Sequence, residues 1–459
     1  MDSRLWLDPE TMRALGYRVV DHLVERWTGL EHQPIPVTPP RPEVRATLDE
    51  PLPRAPSDPE RVIDRAVSVL QNAAPTGHPR FFGFIPSPSN FVAVLADALV
   101  AGFNPFGGNY VEAPGPHELE RRVIRWVTDA IGFPQGASGL FVSGGSMANL
   151  TAMVVARQTH RPGVRGRVYV SDQTHGSVAK GLRVLGLDAA SVRVVPSDAR
   201  FQMRVEALRE AIREDREAGC TPYCVVATAG TTSTGAVDPL SAIADLASAE
   251  GLHLHVDGAY GAAAAFGRDA AASVVGLTRA DSVSLDPHKW LFTPYECACL
   301  LVRDGASLSR TFATSQTYLE ETLSDEPDFQ DQGIQLTRSL RALKVWATFQ
   351  AFGADAIADA IDRGVRHASF LGEVLTARGW ELAAPPSLGI CAFRHPTLDD
   401  ADHVAVREAL LETGAAMVSG TTLRGARYLR ACTLNPRTTE DDLRRLVEGL
   451  EDARAQQVS

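Results

Sequence analysis

Apolar residues recur at helical spacing near the start of the chain. One face of a helix over residues 10–27 would carry Met12, Leu15, Val19, Leu23 and Trp27. This spacing predicts an amphipathic helix. Nine prolines follow between Glu31 and Pro59, and proline disrupts both helices and central strands. We therefore expect that stretch to run extended. Residues 1–75 should form a helical, proline-rich extension that packs against another part of the assembly, such as a partner subunit.

Short β-branched runs alternate with helix-length segments from about residue 76 to residue 353. The runs cover residues 139–142, 167–170, 192–195, 223–227, 252–256 and 282–285. Such strands, separated by helices, are typical of an α/β domain with a mainly parallel sheet. The pattern then changes to a long helix, short strands and two more helices, over 355–378, 401–413 and 439–455. The sequence thus predicts a large α/β domain over 76–354 and a smaller α+β domain over 355–459.

Composition and charge narrow the class of protein. A chain of 459 residues has room for two or three structural units, and 44% hydrophobic residues are typical of a folded protein. The net charge of −11 repels phosphate backbones, so we expect no nucleic-acid partner. We see neither a secretion signal nor an apolar run long enough to cross a bilayer, and expect no membrane association. Six scattered cysteines lack zinc-site spacing, which favours reduced thiols, no bound metal and a cytoplasmic location.

A lysine follows the last predicted strand of the large domain. Lys289 lies in the segment Asp286-Pro287-His288-Lys289-Trp290, at the edge where open parallel sheets usually bind ligands. A lysine can form a Schiff base with an aldehyde once desolvation lowers its pKa. Taken alone, such a lysine is more often a solvated surface residue.

An aspartate ends another apolar strand. Asp257 closes the run Leu254-His255-Val256-Asp257, and a buried carboxylate needs a cationic partner. A protonated pyridine nitrogen is such a partner, and enzymes that use pyridoxal phosphate (PLP) place an aspartate beside it. An aspartate that caps the next helix explains this segment equally well.

Two polar turns offer further groups. The turn Ser143-Gly144-Gly145-Ser146 joins a predicted strand to a helix, where backbone N–H groups can approach an anion. It matches neither common glycine motif for phosphate, so alone it is weak evidence. His175 follows the strand over 167–170 and could stack on a flat ring or move a proton, although loop histidines are more often simply hydrogen-bonded. The order of glycine turn, Asp257 and Lys289 along the chain favours a PLP site.

These segments resemble the group II PLP-dependent amino acid decarboxylases. That family has PLP fold type I and includes aromatic-L-amino-acid, tyrosine, tryptophan, histidine and glutamate decarboxylases. The likeness extends from about His78 to Thr439, and the aromatic branch fits better than the glutamate branch. The most specific motifs are His78-Pro79-Arg80-Phe81-Phe82, Ser171-Asp172-Gln173-Thr174-His175, His255-Val256-Asp257-Gly258-Ala259-Tyr260, Asp286-Pro287-His288-Lys289-Trp290 and Arg338-Ser339-Leu340-Arg341-Ala342-Leu343-Lys344-Val345-Trp346.

The resemblance implies a role for each matching residue in the removal of CO2 from an L-amino acid. Lys289 would bind the cofactor covalently, Asp257 would pair with its ring nitrogen, and His175 would stack on the ring and take part in catalysis. The other implied cofactor contacts are Gly145, Ser146 and His288 at the phosphate, Thr232 beside the cofactor, and Ala259 on the ring face opposite the stacked histidine.

The resemblance also implies a substrate pocket shared between the two subunits of a homodimer. Residues 1–75 would then wrap around the other protomer. Arg430 would be structural, since an arginine that held the substrate carboxylate in the ring plane would oppose decarboxylation. The matching pocket positions are Phe84, Ile85, Pro86 and Ser87 in the wall, with Phe106 and Gly108 where the neighbouring subunit contributes.

One position departs from the family pattern. In family decarboxylases, a tyrosine on a mobile loop donates a proton to the substrate carbon that has lost CO2. That loop corresponds here to about residues 311–333. Counting back nine residues from Arg338, that position holds Phe329, which cannot donate a proton. Related aldehyde synthases carry this change and use O2 to release an aldehyde, ammonia and peroxide. We expect plain decarboxylation, with Tyr318, His175 or water as donor, because a general acid is often worth only about 10²- to 10⁴-fold. Oxidative deamination is the alternative.

The side chain of the substrate is less strongly specified. Thr337 occupies a position where plant relatives carry serine for phenolic and glycine for indolic substrates, so its hydroxyl favours tyrosine or dopa. Gly108 stands where the animal enzyme has a bulky aromatic residue, and the extra room favours an indole. Phe84 and Phe106 favour an aromatic side chain over glutamate, whose second carboxylate would need a cation. We expect an aromatic L-amino acid.

Other PLP proteins share part of this pattern. Aminotransferases and cysteine desulfurases also carry the strand-ending aspartate and the cofactor-binding lysine. A desulfurase needs a cysteine on a mobile loop, and residues 311–333 contain none. A PLP-binding sensor fused to a DNA-binding domain is disfavoured by the acidic chain and by the absence of a helix-turn-helix-sized extension. A decarboxylase is the leading hypothesis.

Overall fold

The computed structural model describes residues 5–161, 163–314 and 326–458. Its first layer consists of three helices, α1 (Pro9–Gly29), α2 (Arg41–Ala46) and α3 (Pro59–Leu70). The Arg18 guanidinium ties α1 to α3 through two hydrogen bonds of 2.7 Å to the Asp64 carboxylate. α1 contains the whole range 10–27, so the predicted helix is confirmed.

A short helix interrupts the proline-rich stretch. Pro42 lies in the first turn of α2, where a backbone N–H would have no intrahelical acceptor in any case. The expectation of a wholly extended segment is therefore wrong for Arg41–Ala46. In the single chain, α1 and α3 fully bury none of their side chains, so their apolar faces remain exposed.

A seven-stranded, mainly parallel sheet forms the centre of the large domain. Its strands in chain order are β1 (Ser138–Val142), β2 (Gly166–Ser171), β3 (Val192–Val195), β4 (Thr221–Thr228), β5 (His253–Asp257), β6 (Ser282–Leu285) and β7 (Ala298–Val302). Their order in space is β1-β7-β6-β5-β4-β2-β3. β7 runs antiparallel to both β1 and β6, whereas β6, β5, β4, β2 and β3 are mutually parallel. The six predicted strands and the α/β class are confirmed, and the structure adds β7.

Helices pack on this sheet and on one another. They are α4 (Phe91–Phe103), α5 (Pro114–Ile131), α6 (Gly145–His160), α7 (Gly176–Val184), α8 (Val205–Glu217), α9 (Leu240–Glu250), α10 (Pro287–Trp290) and α11 (Ala306–Phe312). α6 begins just after β1 and packs against β5, β6 and β7. Fully buried side chains such as Phe141, Met153, Tyr169 and Trp290 fill this core.

A kinked helix leads into the smaller C-terminal domain. α12 (Ala342–Ala377) breaks at Gly353, whose φ of 78° is a left-handed value that favours glycine. Then follow β8 (Glu381–Leu382), β9 (Ile390–Arg394), α13 (Asp400–Glu412), β10 (Ser419–Leu423), β11 (Ala426–Cys432) and α14 (Glu440–Val458). The four strands form an antiparallel sheet in the order β10-β11-β9-β8. Trp380 and Phe393 belong to a separate buried cluster here. The domain boundaries themselves stay predictions.

The described ranges contain neither a helix suited to crossing a bilayer nor a cluster suited to holding a metal ion. None of the helices between residues 5 and 458, with the gaps stated above, is long and apolar enough to cross a bilayer. No group of three or more His, Cys, Asp or Glu side chains in the same ranges is placed to hold a metal ion. All six cysteines are buried and free. The cytoplasmic location expected from reduced thiols stays a prediction.

Candidate active site

A cavity of about 360 Å³ opens where β4, β5 and β6 end. Ligands of open parallel sheets usually bind in such a crevice, outside the carboxyl ends of the strands. All the residues predicted to contact the cofactor line it, together with one residue of the predicted substrate wall. These are Gly145, Ser146, His175, Thr232, Asp257, Ala259, His288 and Lys289, with Ile85 from the wall.

Lys289 lies on the single turn of α10, directly after β6. Its Nζ is 2.8 Å from Oδ2 of Asp286. Burial disfavours the charge on Lys289, but the Asp286 carboxylate outweighs burial and raises the pKa of the lysine. Desolvation thus acts on the pKa of Lys289 in the expected direction, but the net pKa is raised because the lysine is paired with a carboxylate one turn away.

Asp257 ends β5 with its carboxylate in the cavity wall. Oδ2 accepts a hydrogen bond of 2.8 Å from the Asn149 amide, and Oδ1 accepts from the Ser284 hydroxyl at 3.1 Å. Oδ1 also accepts from the Ala259 N–H at 3.2 Å. The helical turn that follows is capped by Tyr260, so Asp257 is not a helix cap. The carboxylate is held by three donors and faces the space where a cationic ring nitrogen could lie.

The glycine turn meets the cavity at the start of α6. A Cβ atom at Gly145 would lie 2.9 Å from the Ala259 Cβ and 2.9 Å from an Asp286 oxygen, so a side chain does not fit there. The first turn of a helix leaves backbone N–H groups without intrahelical acceptors, and these attract anions. Gly145 and Ser146 therefore form a cradle suited to a phosphate.

His175 also lines the cavity, as the N-cap residue of α7. Its Nδ1 accepts a hydrogen bond from the Ser177 N–H at 3.2 Å and lies 2.8 Å from the Ser177 hydroxyl. These two contacts hold the imidazole ring in place through its Nδ1 atom. The imidazole is exposed within the single chain, as a ring that stacks on a ligand must be.

Asp286 is a cavity residue that the sequence did not single out for a role. Its Oδ2 lies 3.6 Å from Nε2 of His288 in addition to its contact with Lys289. Its Oδ1 is buried and has no hydrogen-bond partner among the described residues. Burial lowers the pKa of His288, which favours a neutral imidazole that can donate one hydrogen bond. The unpartnered oxygen marks a polar surface turned toward the cavity.

Asn149 is a second residue whose role the sequence did not reveal. It follows Gly145 by four positions, so both lie on the same face of α6. That helical spacing after the glycine turn was the available signal. Asn149 and Tyr295 both line the cavity.

The other predicted substrate residues lie around this cavity but not in its wall. Phe84 has a left-handed φ of 54° and an exposed ring, while Pro86 and Ser87 are buried. The guanidinium of Arg430 contacts the backbone oxygens of Phe84 and Thr232, in keeping with its predicted structural role. The Ser87 hydroxyl contacts the backbone oxygen of His288.

A neighbouring cavity of about 640 Å³ contains both Phe106 and Thr337. It shares Tyr295 with the first cavity. Phe106 and Thr337 thus line the same cavity, whereas Lys289 of the same chain lines the other one. This fits the expectation that Phe106 serves a neighbouring subunit, which stays a prediction.

Phe329 is buried away from the cavity. Its ring centroid lies 4.7 Å from that of His117 and 4.8 Å from the Arg338 guanidinium carbon. Arg338 in turn forms a buried ion pair with Glu120. The proposed proton donor Tyr318 lies outside the described residues. Within the described chain, Phe329 is a packing residue.

Comparison with known proteins gives a consistent result. The family model of the pyridoxal-dependent decarboxylase conserved domain matches residues 41–395. The chain is 39% identical over 477 aligned positions to an aromatic-L-amino-acid decarboxylase of Bacillus atrophaeus, covering 100% of this chain and 98% of that protein. It is 30% identical to a phenylacetaldehyde synthase of Petunia hybrida, over 84% of this chain and 80% of that protein.

A solved structure matches along the whole chain as well. The crystal structure of Oryza sativa TDC with PLP and tryptamine superposes with a TM-score of 0.93. The sequence identity is 26%, and the match covers 100% of both chains. The predicted fold is therefore found in a protein whose structure contains PLP.

Proposed function

Because the chain belongs to the pyridoxal-dependent decarboxylase family, we propose that it removes the α-carboxylate of an aromatic L-amino acid to give the amine and CO2. One observation carries this proposal: Lys289, Asp257 and the Gly145 cradle meet in a single cavity. A relative that matches along the whole chain is named as an aromatic-L-amino-acid decarboxylase, which supports the aromatic side chain.

The cavity fits PLP by shape and charge. Gly145 leaves the room that a Cβ atom would fill, and the start of α6 is suited to the phosphate. Gly145, Ser146 and His288 would hold the phosphate, Asp257 the ring nitrogen and Lys289 the aldehyde carbon. When bound, the cofactor supplies an electron sink for the electron pair that remains when CO2 leaves.

Asp286 would control the proton on Lys289. An amine must lose its proton before its nitrogen can attack a carbonyl carbon. Oδ2 of Asp286 lies 2.8 Å from Nζ, which is within reach for direct proton transfer. Asp286 therefore stabilises the ammonium in the chain without cofactor and offers an acceptor for the proton that Lys289 must lose.

Product analysis tests the proposed reaction. The purified, PLP-loaded enzyme is incubated with tyrosine, dopa, phenylalanine and tryptophan in an oxygen electrode, and amine, aldehyde and peroxide are quantified. We expect the amine of at least one of these substrates, with no oxygen uptake above that of the same reaction with the D-amino acid. Aldehyde formed with matching peroxide and oxygen loss would show an aldehyde synthase instead. No turnover of any of the four would refute the aromatic substrate class.

A second function, oxidative deamination to an aldehyde, is favoured by one specific observation. By the count of nine residues back from Arg338, Phe329 falls at the position of the family tyrosine, and a phenylacetaldehyde synthase is among the relatives. Phe329→Tyr separates the two functions. If the enzyme is a decarboxylase whose proton comes from another donor, the variant still forms amine. Its rate should stay within about tenfold of the wild-type rate, a smaller change than a general acid usually makes. A switch from aldehyde and peroxide to amine would contradict that expectation.

We also propose that the enzyme is a homodimer. Tyr17, Leu99 and Phe103 are large exposed apolar residues on α1 and α4, and contiguous exposed apolar surface marks interaction sites. Sedimentation analysis is expected to give twice the mass of the chain. Phe103→Ala should weaken the dimer by about tenfold or more, as loss of an aromatic anchor does. Val275→Ala, at an exposed valine in the large domain, is the control and should leave the dimer unchanged.

A further inference from the structure

A row of buried polar side chains runs behind Asp257. Alternate residues of a strand point to the same face, so His253 and His255 lie on the side of β5 that carries Asp257. Ser282 of β6 lies 2.9 Å from Nε2 of His253 and 2.9 Å from Nδ1 of His255. Nε2 of His255 lies 3.0 Å from Oδ1 of Asn149, whose Nδ2 contacts Asp257. All five side chains are more than nine-tenths buried.

The chemistry of the groups fixes where one proton in this row must be. An ionised carboxylate only accepts hydrogen bonds, so the Asn149 atom that is 2.8 Å from Asp257 must be the NH₂ group. The carbonyl oxygen of Asn149 then faces His255. Because that oxygen cannot donate, Nε2 of His255 must carry a hydrogen and donate it.

Burial fixes the remaining protons. It lowers the pKa of both His255 and His253, so each ring carries one hydrogen near neutral pH. With Nε2 of His255 protonated, Nδ1 is bare and accepts from the Ser282 hydroxyl. Ser282 has no second hydrogen, so its oxygen must accept from Nε2 of His253. The donors that link these four side chains therefore all point toward Asp257, and the second hydrogen of the Asn149 amide goes to the Ser177 hydroxyl at 3.1 Å.

We propose that the row His253, Ser282, His255 and Asn149 is a one-directional chain of donors that holds the Asp257 carboxylate in its orientation toward the cavity, with His255 as a positioning residue. Hydrogen bonds arranged head to tail polarise one another, so each donor in the row strengthens the next. A carboxylate turned away from the cavity could not stabilise positive charge on a ring nitrogen. The inference rests on the family's cofactor and on the proposed position of its ring nitrogen, not on the identity of the substrate.

Two substitutions of His255 distinguish positioning from packing. Glutamine can donate from Nε2 to Asn149 and accept from Ser282, so His255→Gln keeps the direction of the row. His255→Leu fills similar space in an apolar core but cannot donate. If the histidine only fills space, leucine is tolerated better than glutamine. If it positions Asp257, the order is reversed.

The readouts are the dissociation constant of PLP and the absorbance spectrum of the bound cofactor as a function of pH, neither of which needs turnover. We expect His255→Leu to weaken PLP binding by about 10- to 100-fold, as loss of a residue that supports a ligand-binding group often does. The same variant should shift the pH profile of the spectrum. His255→Gln should restore binding to within roughly threefold of wild type.

Further variants keep the proposal testable if the leucine variant does not fold. Ser282→Ala removes a single oxygen and should weaken PLP binding in the same direction. His160→Gln is the control, because the His160 ring lies 6.1 Å edge-on from that of His253 yet makes no hydrogen bond to the row. Wild-type PLP affinity and spectrum in both His255→Leu and Ser282→Ala would overturn the inference. Failure to decarboxylate any aromatic amino acid would refute the proposed function alone.

Discussion

Replacing Lys289 with alanine is expected to abolish amine formation. The side chain would be the sole covalent attachment point for the cofactor, and loss of a covalent nucleophile typically lowers turnover by a factor on the order of 10⁴ or more. The measurement is amine release under saturating PLP, together with mass analysis of the enzyme after borohydride reduction. Wild-type enzyme should retain one cofactor per chain, and the variant none.

The composition of the chain makes this experiment unusually clean. The sequence contains only three lysines, Lys180, Lys289 and Lys344. Lys180 lies exposed on α7, so Lys180→Ala is the matched control and should keep both activity and the cofactor adduct. Lys344 is buried in an ion pair with Asp97 and is not free to react. Reduction that fixed the cofactor to Lys180 or Lys344 would contradict the assignment.

Asp257→Asn is expected to have the second-largest effect. Asparagine has the same shape but no charge, so it removes the electrostatic partner of the ring nitrogen while it keeps the volume of the site. Removal of one preorganised electrostatic contact commonly costs about 10²- to 10³-fold in turnover. We expect a loss of that size in the rate of CO2 release at saturating substrate.

A smaller change at the same carboxylate provides the control. Ser284→Ala removes one of the three hydrogen bonds to Asp257 but leaves its charge, so its effect should be well below that of Asp257→Asn. Equal losses in the two variants would mean that orientation, and not charge, is what Asp257 supplies. Full activity in Asp257→Asn would exclude the proposed role.

The main features of the cavity could be predicted from local sequence. Asp257 and Lys289 each follow an apolar run read as a strand, and the ends of neighbouring parallel strands meet at one edge of a sheet. The glycine turn precedes a helix that the pattern also indicated. Strand ends and turn chemistry are properties of a few consecutive residues, so these predictions needed no knowledge of tertiary contacts.

Other features depend on contacts between distant residues. His255 meets Asn149 across 106 positions of sequence, and no local pattern links them. β7 is a run of five apolar residues that periodicity alone cannot distinguish from a buried helix. Phe106 and Thr337 face a cavity that the proposed partner subunit would complete. The raised pKa of Lys289 arises from the rotamer of Asp286, which sequence does not specify.

The position of β7 has a consequence for the order in which this protein is assembled. β1 is one of the two edge strands of the described sheet, and its partner there is β7, with Val142 opposite Ala298. While the ribosome is still synthesising the segment before β7, β1, which leads into the Gly145 turn, has no neighbouring strand to pair with. Pairing across so long a loop forms late in folding. A nascent chain that ends before Val302 should therefore be unable to capture PLP.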